Sequence, residues 1–204
     1  MKIFFFFFFF AFVMFASLAS HANEVDVCFT PGMLCNDIIV DVINDADIEV
    51  LVQAYSFTRN DVADALIAAH KRSIPVLVII DKSRISEVKS QYQRLLDAGI
   101  NVVVDTTTGI AHNKVIVTDR KNVITGSYNF SDAAQTRNAE NLLVIRNERI
   151  AKKYIKYWFG RYLTIVTREK KRKKVSPKSS SIVTRSSTES TDPFEKKAND
   201  EVVR

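Results

Sequence analysis

His112, Lys114, Ser127 and Asn129 are residue types that together can bind and attack a phosphate. An imidazole is a base or nucleophile near neutral pH, an ammonium is a fixed cation, and a hydroxyl and an amide donate hydrogen bonds. Their spacing lets a hairpin gather them. Val115–Val117 and Val123–Thr125 are short strand-formers around the polar stretch Asp119-Arg120-Lys121-Asn122. With these four residues as the turn, Thr118 faces Val123, Ile116 faces Thr125, Lys114 faces Ser127 and His112 faces Asn129. Strand side chains alternate, so the polar groups share one face while Val115, Val117 and Ile124 point into core. An ordinary core histidine at position 112 is disfavoured, because Lys114 would share its buried face.

A hairpin of this kind needs a scaffold, and the rest of the chain supplies strands and helices in alternation. Val25–Phe29 reads as a strand, Asn36–Ala46 as a helix and Glu49–Tyr55 as a strand. Thr58 is placed to cap a helix running to Arg72, and Val76–Ile80 is a continuous apolar run of the kind buried on both faces. A polar helix over Ser86–Ala98 ends at Gly99, a strand covers Asn101–Val104, and an amphipathic helix covers Arg149–Leu163. The aromatics of that last helix, Tyr154, Tyr157, Trp158 and Tyr162, read as packing residues. The expected fold class is α/β, a mixed and mostly parallel β-sheet flanked by helices. No Gly-rich phosphate loop occurs: GxGxxG and GxxxxGK are both absent.

The ends differ from this middle. Lys2, the apolar run Ile3–Ala19 and the small residues to Ala22 have the layout of a signal peptide over 1–22. An uncleaved anchor is the rival, at the short limit for crossing a bilayer. Either way the reading is export, to the periplasm or beyond. Cys28 and Cys35 then meet an oxidising compartment, and seven positions apart across Thr30-Pro31-Gly32 they can close a small loop. A disulfide is favoured; two free buried thiols remain the alternative, and metal binding is weaker because no further Cys or His lies nearby. Residues 23–167 balance 17 basic against 17 acidic side chains, whereas 168–204 carry a net +5. The segment opens with REKKRKK and continues rich in Ser, Thr, Lys and Glu, which predicts a disordered basic tail. Such a tail can grip a nucleic acid or an anionic membrane, or simply be solvated.

His112-x-Lys114, Asp119 and Gly126-Ser127-x-Asn129 fit the pattern HxKx4Dx6GSxN without a gap. With these residues the chain resembles the phospholipase D superfamily, over roughly Val25 to Leu163. It is most similar to the small, secreted, single-motif bacterial members, a plasmid-type endonuclease and the short phospholipase D proteins of intracellular bacteria. QAYSF and NAENLLVI extend the likeness. The resemblance implies a metal-independent phosphodiesterase with no cofactor, acting through a phosphohistidine. It makes His112 nucleophile or general acid, puts Lys114 and Asn129 on the non-bridging oxygens, and makes Ser127 a supporting hydrogen-bond partner. Glu140 would orient the imidazole, or else be a plain surface acid, and Asp119 and Gly126 would be structural. A mature chain holds only His70 and His112, while the family's chemistry uses two imidazoles, so a homodimer sharing its site is expected. The substrate is nucleic acid, slightly preferred because a domain this short leaves little surface for a lipid cleft, or a phospholipid head group. A catalytically dead phosphate-binding module is the remote alternative.

Overall fold

The structure, a computed structural model, describes residues 24–107, 109–175 and 193–203; the expected signal peptide lies outside them. The chain runs β1 (Glu24–Thr30), α1 (Cys35–Asn44), β2 (Val50–Ala54), α2 (Asn60–Lys71), β3 (Val76–Asp81), α3 (Tyr92–Asp97) and β4 (Asn101–Asp105). It continues β5 (Lys114–Thr118), β6 (Asn122–Gly126), α4 (Asp132–Thr136), β7 (Glu140–Arg146), α5 (Glu148–Val175) and α6 (Pro193–Val203). All seven strands form one sheet in the order β1-β7-β6-β5-β2-β3-β4.

The sheet is mixed, but its parallel part is confined to β2-β3-β4, where helical crossovers join the strands. The other neighbours are antiparallel, so the expected parallel majority is not met. The source of the difference is Glu140–Arg146, to which the sequence reading assigns no strand. It pairs with both β1 and β6 and adds antiparallel neighbours on either side.

Alternation divides the core in two. Val52, Val78, Ile116, Ile124 and Val144 face α1 and α2, while Leu51, Leu77, Ile79, Val117 and Val123 face α5 and α6. Trp158 fastens α5 to the sheet, its Nε1 donating to the Val52 carbonyl at 2.9 Å. Tyr162 is buried beside it, but Tyr157 stands more exposed than a packing residue. The polar helix expected over Ser86–Ala98 shrinks to α3, with turns over 82–91, and α2 is capped at Arg59 without a side-chain bond. Cys28 and Cys35 are joined by a disulfide that closes the β1–α1 turn.

The tail departs most from expectation. Helix α5 continues to Val175, through the basic stretch, and 193–203 form α6 against it. Ala198 is fully buried, and Phe194 and Val202 pack on the α5 layer, so a few apolar positions at helical spacing suffice to dock the segment. Residues 176–192 lie outside the description.

Candidate active site

The ends of β1, β2, β3, β4 and β6 and the starts of β5 and β7 lie at one end of the sheet, by their registers. The motif residues collect there. Lys114 opens β5, and the hairpin that follows is shorter by one residue than expected: Thr118 pairs with Asn122, leaving Asp119–Lys121 as the turn. Asp119 and Arg120 take φ of +53° and +60°, which lets three residues turn the chain. This register carries Lys114 opposite Gly126 rather than Ser127.

A bulge then takes up the difference. The amides of Ser127 and Tyr128 both donate to the Asn141 carbonyl, at 3.0 and 3.3 Å, so two residues oppose one. Gly126 makes this possible: its φ is +151°, and a Cβ there would sit 2.2 Å from the Asn141 oxygen. The bulge re-aims Ser127, whose Oγ donates to Glu140 Oε2 at 2.5 Å. Asn138 Nδ2 donates to the other carboxylate oxygen at 2.9 Å.

His112 stands exposed at the mouth of the site, edge-on to the Tyr55 ring with centroids 4.5 Å apart. Lys114 is buried beneath it. Its Nζ donates to the His112 carbonyl at 2.8 Å and lies 5.2 Å from the centre of the same tyrosine ring. Burial lowers the Lys114 pKa, and the Glu140 carboxylate opposes that shift. Asn129 Oδ1 is buried with no hydrogen-bond partner among the described residues, so the amide oxygen keeps unspent acceptor capacity. Asn129 and Tyr55 line a cleft of about 410 Å³ with Arg84, Lys89, Arg137 and Asn138.

The structure thus brings together His112, Lys114, Ser127, Asn129 and Glu140. Glu140, expected to orient the imidazole, accepts from Ser127 and Asn138 and supports the lysine charge. Asp119 lies at the far end of β5, where Oδ1 accepts from the amides of Asp47, Ile48 and Glu49 at 3.1, 2.8 and 3.3 Å. His70 closes α2, a helix that returns from the site end, so it sits at the opposite end of the sheet from His112.

Sequence reasoning missed three supports. Tyr55 backs the imidazole, and its only signal was its place in QAYSF. Arg84 lies 4.2 Å over the Tyr55 ring and donates to its hydroxyl. Asp81, at the end of β3, accepts from the Ala111 amide at 2.6 Å and so fixes the segment entering the motif. Burial would raise the Asp81 carboxyl, but hydrogen bonds from Ser83 and Ala111 and the Lys82 charge outweigh it and hold it below the ordinary range.

An exposed imidazole over a buried ammonium, with an amide and a hydroxyl–carboxylate pair alongside, can take a phosphodiester. In such a site an imidazole nitrogen can attack phosphorus while a cation and an amide N–H compensate the oxygens. Comparison with known proteins agrees. The family described as "Cardiolipin synthase, PLD-like domain" matches residues 39–162. A phospholipase D of Rickettsia prowazekii is 41% identical over 142 residues, covering 70% of this chain and 69% of that one. The structure of Nuc from Salmonella typhimurium, a phospholipase D family member, superposes with a TM-score of 0.65 at 33% identity, covering 69% of this chain and 94% of that one. NucT from Helicobacter pylori superposes with a TM-score of 0.61 at 25% identity, covering 67% and 93%. With the motif, the fold and these relatives in agreement, the chain belongs to the phospholipase D-like family of phosphodiesterases.

Proposed function

We propose that the protein hydrolyses phospholipid head-group phosphodiesters through a phosphohistidine on His112, as an exported homodimer whose two copies share one site. The observation that carries the chemistry is the placement of His112, exposed on Tyr55 with the Lys114 ammonium fixed to its own carbonyl. His112 attacks phosphorus, and the bond to the leaving oxygen breaks as His112 of the second copy protonates that oxygen. Water, deprotonated by the same second imidazole, then attacks phosphorus, releases the phosphomonoester and restores His112. Lys114 and Asn129 hold the non-bridging oxygens, and Glu140 keeps Lys114 charged and Ser127 oriented. The second copy is required because the described residues offer no other imidazole at this end of the sheet.

The lipid reading rests on the relative named phospholipase D, which aligns over more than two thirds of either chain, and on the family's description as cardiolipin synthase-like. It is set against the slight preference for nucleic acid drawn from domain size. Nucleic acid remains the second reading, favoured by the exposed basic side chains of α5 from Arg168 to Arg172. Export is supported by the disulfide and by the amino-terminal sequence.

The test is purified mature protein assayed in parallel on phosphatidylcholine vesicles, plasmid DNA and RNA, with and without EDTA. Release of the head group, undiminished by EDTA, is expected, since Lys114 supplies the charge compensation. Cleavage of nucleic acid alone would move the substrate to the second reading. Loss of all hydrolysis on chelation, restored by a divalent ion, would overturn the mechanism.

A further inference from the structure

The loops at the site end carry a second pattern, apolar where the site itself is charged. Phe29, Met33, Leu34, Val88 and Ile110 are large apolar side chains left between 45% and 85% exposed. Each belongs to the end of β1 or to a loop at this end of the sheet. Phe29 precedes Thr30, the register partner of Glu140, and Val88 lines the cleft beside Asn129. Ile110 precedes His112 by two residues. The apolar groups therefore flank the site from both sides.

They are also held outward. The disulfide between Cys28 and Cys35 closes the turn bearing Met33 and Leu34, and Gln135 Nε2 donates to the Met33 carbonyl at 2.9 Å. A turn tied at both places cannot fold its leucine inward to escape water. Lys82, Lys89 and Arg137 stand exposed among these side chains. An exposed apolar rim with interspersed cations is complementary to one kind of surface, a bilayer with anionic head groups.

We propose that this rim docks the enzyme on a phospholipid bilayer, an inference that takes its substrate from the reading above and adds how the site reaches it. Phe29, Met33, Leu34, Val88 and Ile110 enter the boundary between head groups and acyl chains, and Lys82, Lys89 and Arg137 meet anionic phosphates. His112 and Lys114 are then held at the depth of the scissile diester. A two-fold axis along the strand direction turns both copies' rims the same way, so docking is compatible with a shared site.

The experiment compares the wild-type protein with a Met33→Ser/Leu34→Ser double variant, both positions on the turn after β1 and outside the cleft. Partition onto vesicles of phosphatidylcholine with phosphatidylglycerol is expected to fall at least about tenfold. Turnover of soluble bis(p-nitrophenyl) phosphate, the melting curve and the oligomeric state are expected to stay as in wild type. A separate Leu34→Trp variant gives a second measurement: vesicles should shift its emission to the blue, and acyl-brominated lipid should quench it. Unchanged partition of the double variant, or no quenching of the introduced indole, overturns the proposal. So does loss of self-association in the double variant, which would make the rim a contact between copies. Wild-type protein that docks through the rim yet cleaves only nucleic acid sinks the substrate reading and leaves the docking surface standing. Vesicle hydrolysis with unchanged partition of the double variant does the reverse.

Discussion

Lys114 is under two opposed pressures, burial that lowers its pKa and a carboxylate that raises it. In the proposed mechanism the charged form binds the phosphate, so activity should fall as pH rises through the Lys114 pKa. Glu140→Gln removes the carboxylate while keeping an acceptor for Ser127. The alkaline limb of kcat on a soluble diester should therefore move to lower pH. A limb that stays in place would show that the Lys114 charge does not set it. Gly126 serves the same geometry through the backbone. Gly126→Ala puts a methyl 2.2 Å from the Asn141 carbonyl oxygen, and neither strand can yield without breaking the bulge. A loss of about 3 kcal/mol in denaturant unfolding is expected. A change within about 0.5 kcal/mol would mean that the bulge relaxes freely.

At the scale of elements, the far end of the sheet is closed by a buried carboxylate. Glu49 is almost wholly inaccessible and pairs with Arg120 at 3.0 Å and with Lys197 of α6, while Arg120 also meets Glu201 at 2.5 Å. Deleting 193–204 takes one cation from Glu49 and uncovers the pocket of Ala198. Stability should fall by about 3 kcal/mol or more, with turnover of a soluble diester retained well below the melting temperature, since the site lies at the other end. A deletion that melts like the full chain would contradict this docking. Sequence reasoning read the tail as disordered because its net charge and Ser content dominate, whereas three apolar side chains and three ion pairs decide its placement. The hairpin was legible, since a polar turn between β-branched runs announces itself. Its register was not, because a three-residue turn plus a bulge yields nearly the same grouping of side chains as a four-residue turn. Tyr55 was invisible as a support for His112, because their contact depends on β2 lying beside β5, a pairing between segments about 60 residues apart.

For the whole molecule, the parts that position the site were visible in sequence, and in the proposed mechanism the part that completes it is a second molecule. His112 lies at one end of the sheet and His70 at the other, so the described residues of one chain present one imidazole at the site. The chemistry needs an attacking nitrogen and a protonated one on the opposite side of phosphorus. In the proposed dimer an isologous contact would supply the second by bringing the same patch to itself. The direct measurement uses His112→Ala and wild-type chains co-expressed with separable tags, the mixed dimer purified and its turnover of a soluble diester compared with that of the wild-type dimer. With one imidazole missing from a shared site, turnover should fall about a thousandfold or more. A mixed dimer that retains half of wild-type turnover would show that each chain carries a complete site, and would contradict the shared phosphohistidine chemistry.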